Sequence, residues 1–203
     1  MELAFGRDAV PELAVSLPLG AGRVTSEFLR PDPPSRAQIK ELRRYVRRQV
    51  RKVANRVQWE GTPRRVVVTS KTFKQLARLG GAPRGREGPF VRRTVAKDQV
   101  QQSIRRLAEV SAKKRSHFRG IRAARAWQIL GGAVVAYETK RCLRVDEAEL
   151  SPWALREGIM LEHLSSLRED EPLMLQALNF IDSRPHAALR ALPAQSTRRN
   201  HIS

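Results

Sequence analysis

The chain has 203 residues, with 39 Lys and Arg against 20 Asp and Glu, for a formal net charge of +19. That length suits one domain with a real core rather than two domains and a linker, and a hydrophobic fraction of 41% excludes a disordered polycation, which could not bury enough apolar surface to offset its ordering entropy. The single cysteine, Cys142, excludes a disulfide framework and any multi-cysteine metal site, and His117, His163, His186 and His201 are too dispersed for a local metal box. Glu2 and Asp8 stand where a basic and then apolar leader would be needed, so no signal peptide is expected. The longest apolar stretch, about residues 126–137, is well short of the roughly 20 residues that span a bilayer. A cytoplasmic protein without membrane contact is the expectation.

In chain order, residues 1–5 read as a short strand followed by a turn at Gly6-Arg7-Asp8. Leu13, Val15 and Leu17 alternate with smaller or polar neighbours, the period of a second strand. Leu19-Gly20-Ala21-Gly22 reads as a flexible turn, and residues 24–29 as a third short extended piece. Pro31-Asp32-Pro33-Pro34 breaks the chain. Ser35 with Gln38 three residues on forms a capping box, opening a long helix whose stripe is Ile39, Leu42, Val46, Val50, Val53 and Val57. Arg43, Arg44, Arg47, Arg48, Arg51 and Lys52 lie largely off that stripe.

Gly61-Thr62-Pro63 ends the helix. The β-branched run at residues 65–69 reads as a buried strand, Ser70-Lys71-Thr72 as a turn, and residues 73–79 as a helix stopped by Gly80-Gly81. Residues 82–89 form a Gly/Pro/Arg loop expected to be mobile. Val100, Ile104, Leu107 and Val110 mark a basic-faced helix, and residues 125–143, apolar nearly all round, a central buried one. A short strand and a last helix over 153–167 follow. Residues 168–203, interrupted by Pro172, Pro185 and Pro193, are expected to be an irregular, partly disordered tail. The alternation of strands and helices is that of an α/β layered fold.

Charge is unevenly placed. Residues 36–125 carry 27 basic and 5 acidic side chains, a net +22 that exceeds the charge of the whole chain. Such a field concentrates polyanions by long-range attraction. The candidate partners are nucleic acid, inorganic polyphosphate, a nucleotide polyphosphate or an anionic membrane surface, and the alternative is a solvated basic face.

Several segments, in one order, resemble the Ppx/GppA phosphatases, the exopolyphosphatases and guanosine pentaphosphate phosphohydrolases of the actin-like superfamily. They are Pro11-Glu-Leu-Ala-Val-Ser-Leu-Pro-Leu-Gly-Ala-Gly-Arg-Val-Thr25, Val66-Val-Val-Thr-Ser-Lys-Thr-Phe73 with Leu76-Ala-Arg78, Arg125-Ala126 with Ile129 and Gly132-Ala133, and Trp153-Ala-Leu-Arg-Glu-Gly158. The resemblance runs over residues 1–167 and implies an actin-like ATPase (ribonuclease-H-like) second domain, a mixed sheet with flanking helices. Met1-Glu-Leu-Ala-Phe-Gly6 is similar to the strand just after that family's Gly-rich phosphate loop. The first strand, the phosphate loop and the half bearing the water-activating glutamate are therefore expected to be missing, through a misassigned start or a truncation. Low solubility or self-association is expected of an exposed sheet edge.

Phosphoanhydride hydrolysis needs a positioned water, a base, and donors or a metal against the equatorial oxygens. No catalytic residue and no metal ligand is identified in this chain; Mg²⁺ enters only as a cofactor the family implies. The resemblance places Arg23 near the cleft. Ser70, Lys71 and Thr72 sit at a strand-to-helix turn where hydroxyls, an ammonium and helix amides converge, with plain N-capping as the alternative; the family more often has glycine near Lys71. Arg92 and Arg93 are candidates for a polyphosphate channel or for a solvated face. The Arg156-Glu157-Gly158 segment, which in the family packs back toward the cleft, is expected to serve in a structural ion pair, and Trp127 and Cys142 to lie in the core.

Two functions follow. The first is the C-terminal domain of a hydrolase releasing terminal phosphate from polyphosphate or guanosine pentaphosphate, inactive alone, with a homodimer among its allowed states. The second is a stand-alone polyanion-binding module with its Arg-rich helix on polyphosphate or nucleic acid. Aromatics for base stacking are few, at 5%, and no reading-helix motif is present, which weakens nucleic acid as the partner.

Overall fold

The computed structural model describes residues 1–7, 11–59 and 63–166. The tail expected over 168–203 lies outside them. Strand β1 (Glu2–Phe5) pairs antiparallel with β2 (Leu13–Ser16) in the register Leu3 to Val15. The alternation in both strands turns Leu3, Phe5, Leu13 and Val15 inward. The chain's ammonium donates to Leu17 O at 2.8 Å, extending the ribbon by one rung.

Residues 24–29 are not extended. Helix α1 (Ala21–Phe28) begins directly after Gly20, and Val24 and Thr25 are buried on it. Thr25 Oγ1 donates to Ala21 O at 2.8 Å, so the hydroxyl finds a partner within the helix. β-branched Val24 and Thr25 favour a strand locally, and burial of the Val24 and Leu29 side chains against the core overrides that preference.

Helix α2 (Arg36–Trp59) opens with the expected capping box: Ser35 N donates to Gln38 Oε1 at 2.9 Å and Gln38 N to Ser35 Oγ at 3.3 Å. Its Leu42, Val46 and Val50 are fully buried and Val53 nearly so. Each is worth about 1.5–3 kcal/mol by area removed from water.

Strand β3 (Val67–Val68) leads through Ser70 into α3 (Lys71–Leu79). Strand β4 (Thr94–Ala96), too short to show a period of its own in the sequence, leads into α4 (Lys97–Ala108). After a single turn, α5 (Ala112–Arg115), comes the central helix α6 (Ile129–Cys142), buried from Ile129 to Lys140. It starts four residues later than the apolar pattern implied, because residues 123–125 form a separate 3-10 turn. Strand β5 (Glu147–Leu150) then runs between β3, to which it is parallel, and β4, to which it is antiparallel. Helix α7 (Leu155–Ser166) follows. The mixed sheet is therefore three-stranded, with the β1–β2 ribbon apart from it, and α6 is the axis against which α1, α2, α3 and α4 pack.

The loop over 82–89 is tied down. The Arg93 guanidinium donates to the carbonyls of Pro83 (3.1 Å), Gly88 (3.0 Å), Val91 (2.7 Å) and Arg84. Arg115, by contrast, is fully buried at 1% exposure; it pairs with Asp32 at 2.9 Å and donates to Leu107 O at 2.7 Å. Burial lowers its pKa, and Asp32 opposes that shift. Asp32 also accepts from Ala112 N at 2.6 Å, so one carboxylate joins the proline segment to the start of α5.

Candidate functional site

Parallel β3 and β5 end at Val68 and Leu150, and the chain turns there into the segments leading to α3 and α7. The carboxyl ends of parallel strands are where α/β sheets bind ligands, because the following helix N-termini face the crevice. At β3 the turn is built by Ser70, whose Oγ accepts from Phe73 N at 3.1 Å. Ser70 is thus the N-cap, the alternative weighed for it, and the amides of Lys71 and Thr72 begin a helix without intrahelical acceptors. Lys71 is exposed beside them.

The N-terminus of α6 closes against this turn because its first turn carries Gly131 and Gly132. A Cβ on Gly132 would lie 2.6 Å from Thr72 Cγ2 and 3.2 Å from Ala21 Cβ; one on Gly131 would lie 2.3 Å from Thr25 Oγ1 and 3.2 Å from Ala21 O. Two missing side chains therefore let the first turns of α1, α3 and α6 meet. Helix α1 is held there by Gly22, over which Gln128 Oε1 and the Trp127 ring pass at 3.2 and 3.5 Å from its missing Cβ. Trp127 is 42% exposed, not core: the flat surface left by Gly22 carries its ring, and the rest faces solvent. Trp127 and Gln128 were not foreseen at the site; glycine at position 22 was the available signal.

The six candidate residues divide. Ser70, Lys71 and Thr72 stand at the meeting of the helix starts, with Thr72 packed on α6. Arg23 belongs to the first turn of α1, but its side chain leans along the helix to Glu27 at 3.8 Å. Leu150 N donates to Arg93 O at 2.8 Å, which puts Arg92 and Arg93 at the same end of the sheet as Ser70, two strand spacings or about 10 Å across. Their guanidiniums are engaged: Arg93 on the loop carbonyls rather than a channel, and Arg92 on Glu149 at 3.5 Å, a carboxylate that also holds Arg65 at 2.7 Å.

Glu157 is engaged by the backbone. It accepts from Ala154 N at 2.7 Å, capping α7, and this backbone bond holds its carboxyl below the usual carboxylate range. Cys142 is half-buried at the far end of α6, where burial raises its thiol pKa. Among the described residues no three His, Cys, Asp or Glu side chains gather as a metal site. With Glu149 held by arginines and Glu157 capping a helix, the donor set at the sheet end suits a phosphate rather than a divalent cation. No described helix is long and apolar enough to cross a membrane.

The model of the Ppx/GppA phosphatase family matches residues 1–167. The chain belongs to that family. It is 39% identical to exopolyphosphatase 1 of Mycobacterium tuberculosis over 200 residues, 98% of this chain and 56% of that protein. It is 48% identical to an uncharacterised protein of Streptomyces coelicolor over 174 residues, 85% of this chain and 50% of that protein. The Ppx/GppA family member of Aquifex aeolicus superposes with a TM-score of 0.72 at 24% identity, over 83% of this chain and 54% of that one. An exopolyphosphatase from Cytophaga hutchinsonii gives 0.70 at 14%, over 82% and 54%. The fold is thus the actin-like one of Ppx/GppA proteins, and the chain spans about half the length of the curated relatives it matches.

Proposed function

We propose that this chain is the phosphate-holding half of an exopolyphosphatase, acting in the cytoplasm on the terminal phosphates of inorganic polyphosphate, with guanosine pentaphosphate as the alternative substrate. The observation that carries this is the meeting of the α1, α3 and α6 starts, closed by Gly131 and Gly132, at the carboxyl end of β3 and β5. Free amides of Lys71 and Thr72 with the Lys71 ammonium offer donors to equatorial phosphoryl oxygens, where charge is spread during in-line displacement. Arg23, in the first turn of α1, and Arg92, at the same end of the sheet, are the further cations this reading gives to the anion; the exposed Arg23–Glu27 pair that Arg23 would leave is worth little. The base that activates water, and carboxylates able to hold Mg²⁺, are assigned to the part of the longer relatives that this chain does not span. The exposed apolar face of α7, with Leu155, Ile159 and Met160, is consistent with cover by that part.

Titration of the 203-residue chain with tripolyphosphate tests the reading. Binding is expected, weakened about fivefold by Lys71→Ala. The chain alone should release no phosphate, whereas its fusion to the remaining part of the M. tuberculosis relative should do so with Mg²⁺. Binding insensitive to Lys71, or a silent fusion that folds, would overturn it in favour of the stand-alone polyanion-binding module.

A further inference from the structure

The far end of α6 carries charge that the sheet-end site does not use. Arg43, Arg47 and Arg141 face one fully buried carboxylate, Glu138, at 3.8, 3.7 and 3.7 Å. Around them Arg47, Arg51, Asn55, Arg141 and Arg144 line an open cleft of about 340 Å³ between α2 and the end of α6. The cleft continues onto the outer face of α2 through Arg44, Arg48 and Lys52. No ion pair joins Arg44, Arg48, Arg51, Lys52 or Arg144 to an acid among the described residues. Compensation of the α6 dipole calls for one or two cations near its last turn, and Lys140 and Arg141 already supply them. Arg144, moreover, holds a left-handed backbone (φ 56°) just past the helix, where glycine is favoured. The backbone there presents a guanidinium to the cleft instead of simply ending the helix.

We propose that this arginine cleft is a second polyphosphate site, which holds an internal stretch of the chain while the terminal phosphates occupy the sheet end. The choice of polyphosphate rests on the exopolyphosphatase reading above. Nine residue steps along α6 lead from Gly132 to Arg141, about 14 Å along the axis, so one long polymer reaches both and a short one does not. Cations recurring along α2 at Arg44, Arg47 and Arg48, and Arg51 match a ligand with charge on every repeat. No aromatic side chain lines the cleft, and stacking on aromatics is how single-stranded nucleic acid is held.

The test uses the full 203-residue chain, long-chain polyphosphate and tripolyphosphate. The double variant Arg51→Glu/Arg144→Glu should weaken long-chain binding about tenfold or more and flatten its salt dependence by about two in log–log slope. Tripolyphosphate binding should be unchanged. Because Arg144 has an unusual backbone, Arg51→Glu/Lys52→Glu serves as a second variant, and amide exchange over residues 44–52 should slow with long-chain polyphosphate alone. Unchanged long-chain affinity in folded variants of both kinds overturns the proposal. So does tighter binding of a mixed-sequence RNA oligonucleotide than of polyphosphate at equal charge. Loss of tripolyphosphate binding and of the Lys71 effect, with the arginine effect on long chains intact, would instead defeat the terminal-site reading and leave this one standing.

Discussion

The two ends of α6 handle charge in opposite ways. At its start, glycines remove side chains until three helix N-termini touch, and the donors offered are backbone amides whose positions are set by the fold. At its end, long side chains crowd round one buried carboxylate, and the cations, carried on side chains rather than on the backbone, are in excess. A site that must fix one phosphoryl group benefits from the first arrangement. A surface that must hold any stretch of a flexible polyanion benefits from the second.

The largest expected effect breaks the start of the helix. Gly131→Ala places a methyl 2.3 Å from the position of Thr25 Oγ1, whose bond to Ala21 O leaves it little room to move. The expected loss is about 3 kcal/mol in urea unfolding, despite the better helix propensity of alanine. At the other end, Glu138→Gln leaves three guanidiniums without their carboxylate and should cost about 2–3 kcal/mol. Added polyphosphate should restore part of that stability by binding the folded state alone; a variant as stable as the parent would mean that the arginines do not depend on Glu138.

Lys140 sharpens the contrast with opposite sign. Lys140 is 4% exposed, its ammonium has no hydrogen-bond partner among the described residues, and burial lowers its pKa to about 8 against the partial opposition of Glu147 and Asp146. Since the folded pKa lies below the unfolded one, the penalty is complete below pH 8 and fades as pH rises toward the unfolded value of about 10.4. Lys140→Met should therefore stabilise the chain by roughly 2 kcal/mol at pH 7, and the gain should shrink between pH 8 and 10 in thermal melts. The smallest effect is at the sheet end, where Ser70→Ala should cost about 1 kcal/mol by loss of the cap while tripolyphosphate still binds.

What could be read from the residues was what local rules decide. The capping box at Ser35 and Gln38 and the stripe from Leu42 to Val53 rest on spacing alone, and both stand in the fold. Val57 at the end of that stripe lies outside the described side chains. Helix α1 was misread because Val24 and Thr25 favour strands and only the core they meet makes them helical. Strand β4 has three residues and takes its meaning from β5, more than fifty residues later. The turn at Ser70–Thr72 was legible as a strand-to-helix junction, with Ser70 as its N-cap. That Gly131 and Gly132 would admit Ala21 and Thr72 could not be read locally, since it is a relation among three helices. Arg93 illustrates the general difficulty: a guanidinium looks the same in sequence whether it meets a ligand or four carbonyls.

Arg115 has a consequence for how the chain meets a protease. With 39 lysines and arginines, nearly every surface segment offers a tryptic bond. Arg115 is 1% exposed, and its guanidinium is held by Asp32 and by Leu107 O. Cleavage after it requires the proline segment, the end of α4 and the α5 turn to open together. Among sites in exposed loops it should be cut late, and its appearance in a digest would time the opening of the interior rather than the fraying of the surface.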